Sequence, residues 1–130
     1  MTRRDYPTEE SKKLIEDTVS DMEDMGMDDD AGWFKGYIEN DQVSRLAYDL
    51  DLVGEKLPRG GRICEYGAAP FVLTLSLKRS GYDVVGVDLA PDRFTNIDEL
   101  GLELEKVNIE TEEMPFSESH FDAVIFNELF

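Results

Sequence analysis

After Pro7-Thr8 the chain repeats apolar residues at helical spacing, with Leu14, Ile15, Val19 and Met22 on one face. Glu9 and Glu10 fall in the first turn, where the helix dipole favours carboxylates, and Gly26 with Asp28-Asp29-Asp30 ends the helix. Trp33, Phe34, Tyr37 and Ile38 are spaced for one face of a second, shorter helical segment. A third helix, capped by Asn40 or Asp41, presents Val43, Leu46, Ala47, Leu50, Val53 and Leu57. The turn Pro58-Arg59-Gly60-Gly61 closes this helical half.

Beyond Gly61 the pattern becomes strand and helix in alternation. Strands are expected over residues 62–66, 83–88 (D-V-V-G-V-D), 104–109 and 121–126 (F-D-A-V-I-F). Helices are expected over residues 71–80, with Phe71, Leu73 and Leu77 inward and Gly81 as the stop, and from Pro91, burying Phe94, Ile97 and Leu100. Such alternation implies an α/β fold with a parallel sheet of about four strands and flanking helices, preceded by N-terminal helices. Residues 1–57 are expected to form the helical segment packing on the core, and residues 58–130 the sheet-bearing core.

Composition narrows the class. The 130 residues fit one domain, and no run approaches the ~18 apolar residues of a membrane span. Arg3 and Arg4 are followed by no apolar signal region, and a single cysteine leaves no disulfide framework or cysteine metal cluster. A cytoplasmic protein without a metal site is expected. Thirty acidic residues against 13 basic ones give a net charge of -17, which repels nucleic acid and disfavours anionic membranes. The carboxylates are spread along the chain, as on a halophile-type surface whose self-repulsion high salt would screen.

Candidate chemistry gathers where such a sheet binds nucleotides, at the carboxyl ends of its strands. Small residues in E-Y-G-A-A-P-F (65–71) let a ligand approach the backbone, ahead of a helix N-terminus. Asp88 ends the second strand roughly 20 residues later, a position from which a carboxylate accepts from a ribose diol. Asn108-Ile109 and Met114-Pro115-Phe116 then lead into the fourth strand.

These residues resemble the Rossmann-like (class I) S-adenosylmethionine (SAM)-dependent methyltransferases. I-C-E-Y-G-A-A-P-F is similar to the first motif of that family and V-V-G-V-D-L-A-P to its second. V-N-I-E-T-E-E-M-P-F followed by F-D-A-V-I-F-N-E resembles its later acidic and F-D-x-V run. The resemblance covers residues 62–130 and implies SAM as cofactor. It implies that Glu65 anchors the loop and reaches the methionine amino group, while Gly67, Ala68 and Ala69 pass beneath the methionine portion. Asp88 would hold the ribose, Leu89 lie against the adenine, Asn108 and the Ile109 backbone meet the adenine edge, and Asn127 lie near the methyl-donor end. Ala69 stands where the family often has glycine, and Asn108 replaces a common aspartate, keeping an acceptor but no charge.

The resemblance leaves the catalytic group and the acceptor open; N-E-L-F is not the N-P-P-Y-type motif of amino-group methylation, and a small molecule, lipid or sugar is favoured. Complete enzymes of this kind continue with further strands, so a truncated product is expected, whose exposed sheet edge calls for a homo-oligomer or a partner chain. A split or non-catalytic half acting through that partner is therefore an alternative. A nicotinamide-dependent oxidoreductase is another, against which stand the missing second and third glycines of G-x-G-x-x-G. His120 reads as a surface residue, Cys64 as a small buried hydrophobe, and Trp33-Phe34-Tyr37 as core or interface.

Overall fold

A computed structural model describes residues 5–26, 42–68, 71–89, 96–108 and 121–126. Helix α1 (Glu9–Asp24) begins where the sequence predicts, because the Thr8 side chain accepts the Ser11 N–H. Helix α2 (Gln42–Lys56) buries Leu46, Ala47 and Leu50. Its predicted cap at Asn40 or Asp41, and the helical segment around Trp33, Phe34, Tyr37 and Ile38, lie outside the described residues.

Asp51 of α2 ties the two helices together at the start of α1. Its carboxylate accepts from the Thr8 N–H (2.7 Å), the Thr8 hydroxyl (3.1 Å) and the Ser11 hydroxyl (2.6 Å). Ser11 is buried, so removing Asp51 strands a donor away from water. Asp51→Ala is expected to lower unfolding free energy by about 2–3 kcal/mol in a urea titration, an unchanged midpoint counting against this role.

The sheet follows in the order β3-β2-β1-β4, every neighbouring pair parallel. Strands β1 (Arg62–Tyr66) and β2 (Asp83–Asp88) have the predicted bounds, and helix α3 (Val72–Arg79) joins them. Strand β4 (Ala123–Phe126) lies on the other side of β1, pinned by the Arg62 N–H donating to Asp122 Oδ2 (2.9 Å) and the Asp122 N–H donating to the Arg62 carbonyl (2.8 Å).

Side chains alternate across the sheet and divide the core in two. Ile63 and Val84 face the helices, packing with Ile15, Val19 and Met22 of α1, Leu46 and Leu50 of α2, and Leu73 and Leu77 of α3. Cys64, Val85, Val87 and Val107 form the smaller cluster of the opposite face, with Tyr66 and Phe121 against it. The α1–α3 contact carries a polar seam as well: Ser76 donates to Thr18 (3.1 Å), and Arg79 pairs with Asp21 (2.8 Å).

Three elements differ from expectation, the first being strand β4, which begins at Ala123 and not at residue 121. Strand β3 covers Glu103–Lys106, so Asn108 lies past its end and not within it. The helix expected from Pro91 to Leu100 is broken: Asn96 has φ 60, which no right-handed helix accommodates, and Ile97–Leu100 is a single 3-10 turn. Leu100 is buried and Ile97 packs on the core, as the pattern predicts, while Pro91 and Phe94 are outside the described residues.

Candidate functional site

The strand order places a topological switch point at the carboxyl ends of β1 and β4. From β1 the chain moves to β2 and β3, then returns to β4 on the opposite side. Crevices of this kind open outside the carboxyl ends of the strands and are where open α/β sheets take ligands.

The loop after β1 is lashed across the end of β2. The N–H groups of Gly67 and Ala68 both donate to the Val87 carbonyl, at 2.9 and 3.3 Å. Gly67 makes the turn with φ 65, a conformation open to glycine at no steric cost. The loop then closes on itself through the Phe71 N–H, which donates to the Ala68 carbonyl (2.7 Å). Phe71, at the N-cap of α3, has φ 75 and a wholly buried ring. Left-handed backbone at a bulky non-glycine residue is strained, and such strain collects around ligand sites. Helix periodicity predicts the inward ring; no local signal predicts its backbone.

The described residues of the expected site lie at or beside the carboxyl ends of β1 and β2. Ala68 is buried, and Asp88 is half-buried at the last position of β2. The Asp88 carbonyl accepts the Val107 N–H (3.0 Å), which brings the half-buried Asn108 next to the β2 terminus. Leu89 is 59% exposed beside it, an apolar surface at the strand end. The fold thus brings together the end of β1, the turn at residues 67–68, Asp88, Leu89 and Asn108. Ala69, Ile109 and Asn127 fall outside the described residues, as do Met114–Phe116, His120 and Glu128.

Glu65 is not a solvated strand-end carboxylate: it is 1% exposed and points toward the helices. Its Oε1 accepts the Thr74 hydroxyl of α3 at 2.6 Å, within the range of a strong charge-assisted bond. Thr74 is itself fully buried and was not legible as a site residue in the sequence. A threonine inside the largely apolar, wholly buried run V-L-T-L-S-L is the signal that could have found it.

On the opposite face the rings of Tyr66 and Phe126 stack at 4.8 Å across β1 and β4, with Phe126 65% exposed. Burial pushes the neighbouring Cys64 thiol from 9.0 up to about 11, the Tyr66 hydrogen bond opposing and the Glu65 charge adding to it. Cys64 is therefore protonated at neutral pH. An aromatic disulfide reagent at pH 8 is expected to label the native chain ~100-fold more slowly than the unfolded one. Comparable rates would contradict the burial. Native stability should also fall as pH rises from about 9 toward 11, as the unfolded thiol ionises first.

A cleft of ≈ 450 Å³ opens at the other end of the sheet, lined by Tyr6, Ser11, Asp51, Arg59, Ser80 and Tyr82. Arg59 and Tyr82 precede β1 and β2, so this cleft lies at the amino ends of the strands, and the Asp51 oxygens in it serve Thr8 and Ser11. Among the described residues no group of His, Cys, Asp and Glu could hold a metal ion, and no helix is long and apolar enough to cross a membrane.

The model of the family described as methyltransferase domain matches residues 64–130, just over half of the chain. No curated protein and no solved structure matches.

Proposed function

The chain belongs to the methyltransferase domain family, and from that premise we propose that it binds SAM at the carboxyl ends of β1 and β2. The methyl group would pass to a small-molecule, lipid or sugar acceptor. The observation that carries this reading is the bonding of the loop after β1. The N–H groups of Gly67, Ala68 and Phe71 are all spent on carbonyls, beside the Asp88 carboxylate. A dinucleotide presents a pyrophosphate to such a loop and calls for free N–H groups there. A ligand with a sulfonium at the corresponding point needs none.

The donor set also fits. Two carboxylates and an amide, from Glu65, Asp88 and Asn108, suit a ligand with an ammonium, a sulfonium, a ribose diol and an adenine amino group. When bound, the cofactor supplies a methyl group already activated on positively charged sulfur. The chain's own residues bind and orient. In this reading Asp88 accepts from the ribose hydroxyls, and Leu89 covers the adenine. Asn108 accepts from the adenine amino group, with the Ile109 backbone beside it. Glu65 meets the ammonium above Gly67, Ala68 and Ala69, and Asn127 lies toward the methyl group. Alignment of acceptor and methyl is then the main source of rate.

The net charge of -17 disfavours polyanionic acceptors and sets the assay conditions, since molar salt screens the repulsion between carboxylates. Exposed Val124 and Phe126 on β4 favour a second reading, in which another polypeptide or a second copy covers that strand and the chain acts through it. Calorimetric titration with SAM and, separately, NAD at low and molar salt tests the proposal. Saturable binding of SAM alone is expected, whereas a folded chain that binds only NAD, or neither, removes it.

A further inference from the structure

A carboxylate held at 1% exposure needs a donor, because an unmatched buried charge costs more than any neutral polar group. On the sheet, the register partners of Glu65 are Gly86 on β2 and Ile125 on β4. The Thr74 hydroxyl comes instead from the first turn of α3, after the loop has doubled back. Its approach depends on Gly86. A Cβ there would stand 3.3 Å from the Thr74 methyl, 3.5 Å from the Ala68 Cβ and 2.8 Å from a Leu104 methyl. Glycine in the middle of β2 thus lets α3 settle close enough for the 2.6 Å bond.

We propose that Thr74 is a positioning residue, one that fixes the Glu65 carboxylate for the amino-acid end of the cofactor. The inference rests on the SAM reading of the site and adds to it a residue remote from the ligand. Thr74 needs no contact with the cofactor. It selects one rotamer of Glu65 by donating to Oε1 in a region of low dielectric, where such bonds are strong. Asp88 serves the other end of the ligand and is independent of this pair.

Two ligands separate the roles. S-adenosylhomocysteine carries the amino-acid tail, and 5′-methylthioadenosine lacks it but keeps the ribose and adenine. With the full 130-residue chain, Thr74→Val preserves the shape of the side chain and deletes the hydroxyl. It should weaken S-adenosylhomocysteine about tenfold and leave 5′-methylthioadenosine within about twofold. Thr74→Ser should recover most of the affinity for the tailed ligand. In a Glu65→Gln background the Thr74→Val change should have almost no further effect, since the two side chains act as one unit. Equal weakening of both ligands, or full additivity with Glu65→Gln, assigns Thr74 to packing alone and overturns the proposal. Wild-type chain that binds tailed ligand while Thr74→Val binds it equally well also overturns it, leaving the SAM reading intact. A wild type that binds neither ligand overturns both. Should Thr74→Val fail to fold, Thr74→Ala carries the same comparison.

Discussion

Replacing Asp88 by alanine should remove SAM binding from this chain, with loss of affinity on the order of 10²–10³-fold and little change in folding. The argument begins with position. Asp88 is the last residue of β2, its backbone already fixed by the parallel ladder and by the Val107 N–H on its carbonyl. Its side chain ends a run whose preceding residues, Val84, Val85 and Val87, are buried. A carboxylate so placed can accept two hydroxyls of one ribose, and each charge-assisted bond contributes roughly 1.5–3 kcal/mol. The backbone bonds that hold the loop do not involve the carboxylate, so the scaffold should survive. Asp88→Asn keeps the acceptor oxygen and loses the charge, and an intermediate affinity is expected. Calorimetry gives the affinities, and circular dichroism of the same samples reports the fold. A folded Asp88→Ala chain with wild-type affinity would move the ligand away from the end of β2.

The largest effect on stability is expected at Phe71. Its ring is wholly buried in the larger core cluster, and truncation to alanine forfeits about 3–5 kcal/mol. The total stability of a domain of this size is only about 5–15 kcal/mol, so Phe71→Ala should sit close to unfolding. Phe71→Gly loses the same ring, yet glycine adopts φ 75 freely whereas alanine stays strained there. The glycine variant should therefore be the more stable of the two by about 1 kcal/mol, the reverse of their usual order in helices. Urea midpoints decide it. Alanine above glycine would mean that the left-handed backbone at residue 71 is not held in solution.

Gly86 supplies a smaller companion test. Gly86→Val should destabilise by about 1–3 kcal/mol, because a Cβ there would stand 2.8 Å from a Leu104 methyl, closer than real side chains come, and tightly against the Thr74 methyl at 3.3 Å. The same change should weaken tailed cofactor analogues by displacing α3, and wild-type melting would show that Leu104 alone gives way.

Much of this protein is written locally. β1 and β2 have their predicted bounds because short apolar runs between glycine-rich turns leave few alternatives. Helices α1 and α3 stop beside Gly26 and Gly81, both at positive φ. The family resemblance was legible for the same reason: small loop residues, a strand-end acid and the later motifs occur in order along the chain.

Elsewhere the neighbours decided. The break at Asn96 and the early end of β3 depend on how residues 96–108 lie against the core, and no apolar period records that. Asp51 closes the start of α1 from a helix some 40 residues away, too far along the chain for a capping pattern to reveal. Glu65 illustrates the division most clearly. Sequence placed an acid at the end of β1, beside a loop of small residues. Only the packed structure turned that acid inward, because β1 has helices on the face that residue 65 shares with Ile63, and gave it Thr74 as partner across the gap that Gly86 leaves open. Periodicity and turn chemistry act between near neighbours and are carried by the sequence itself. The direction, partner and burial of a charge are set by contacts across elements, and these exist only once the chain has packed.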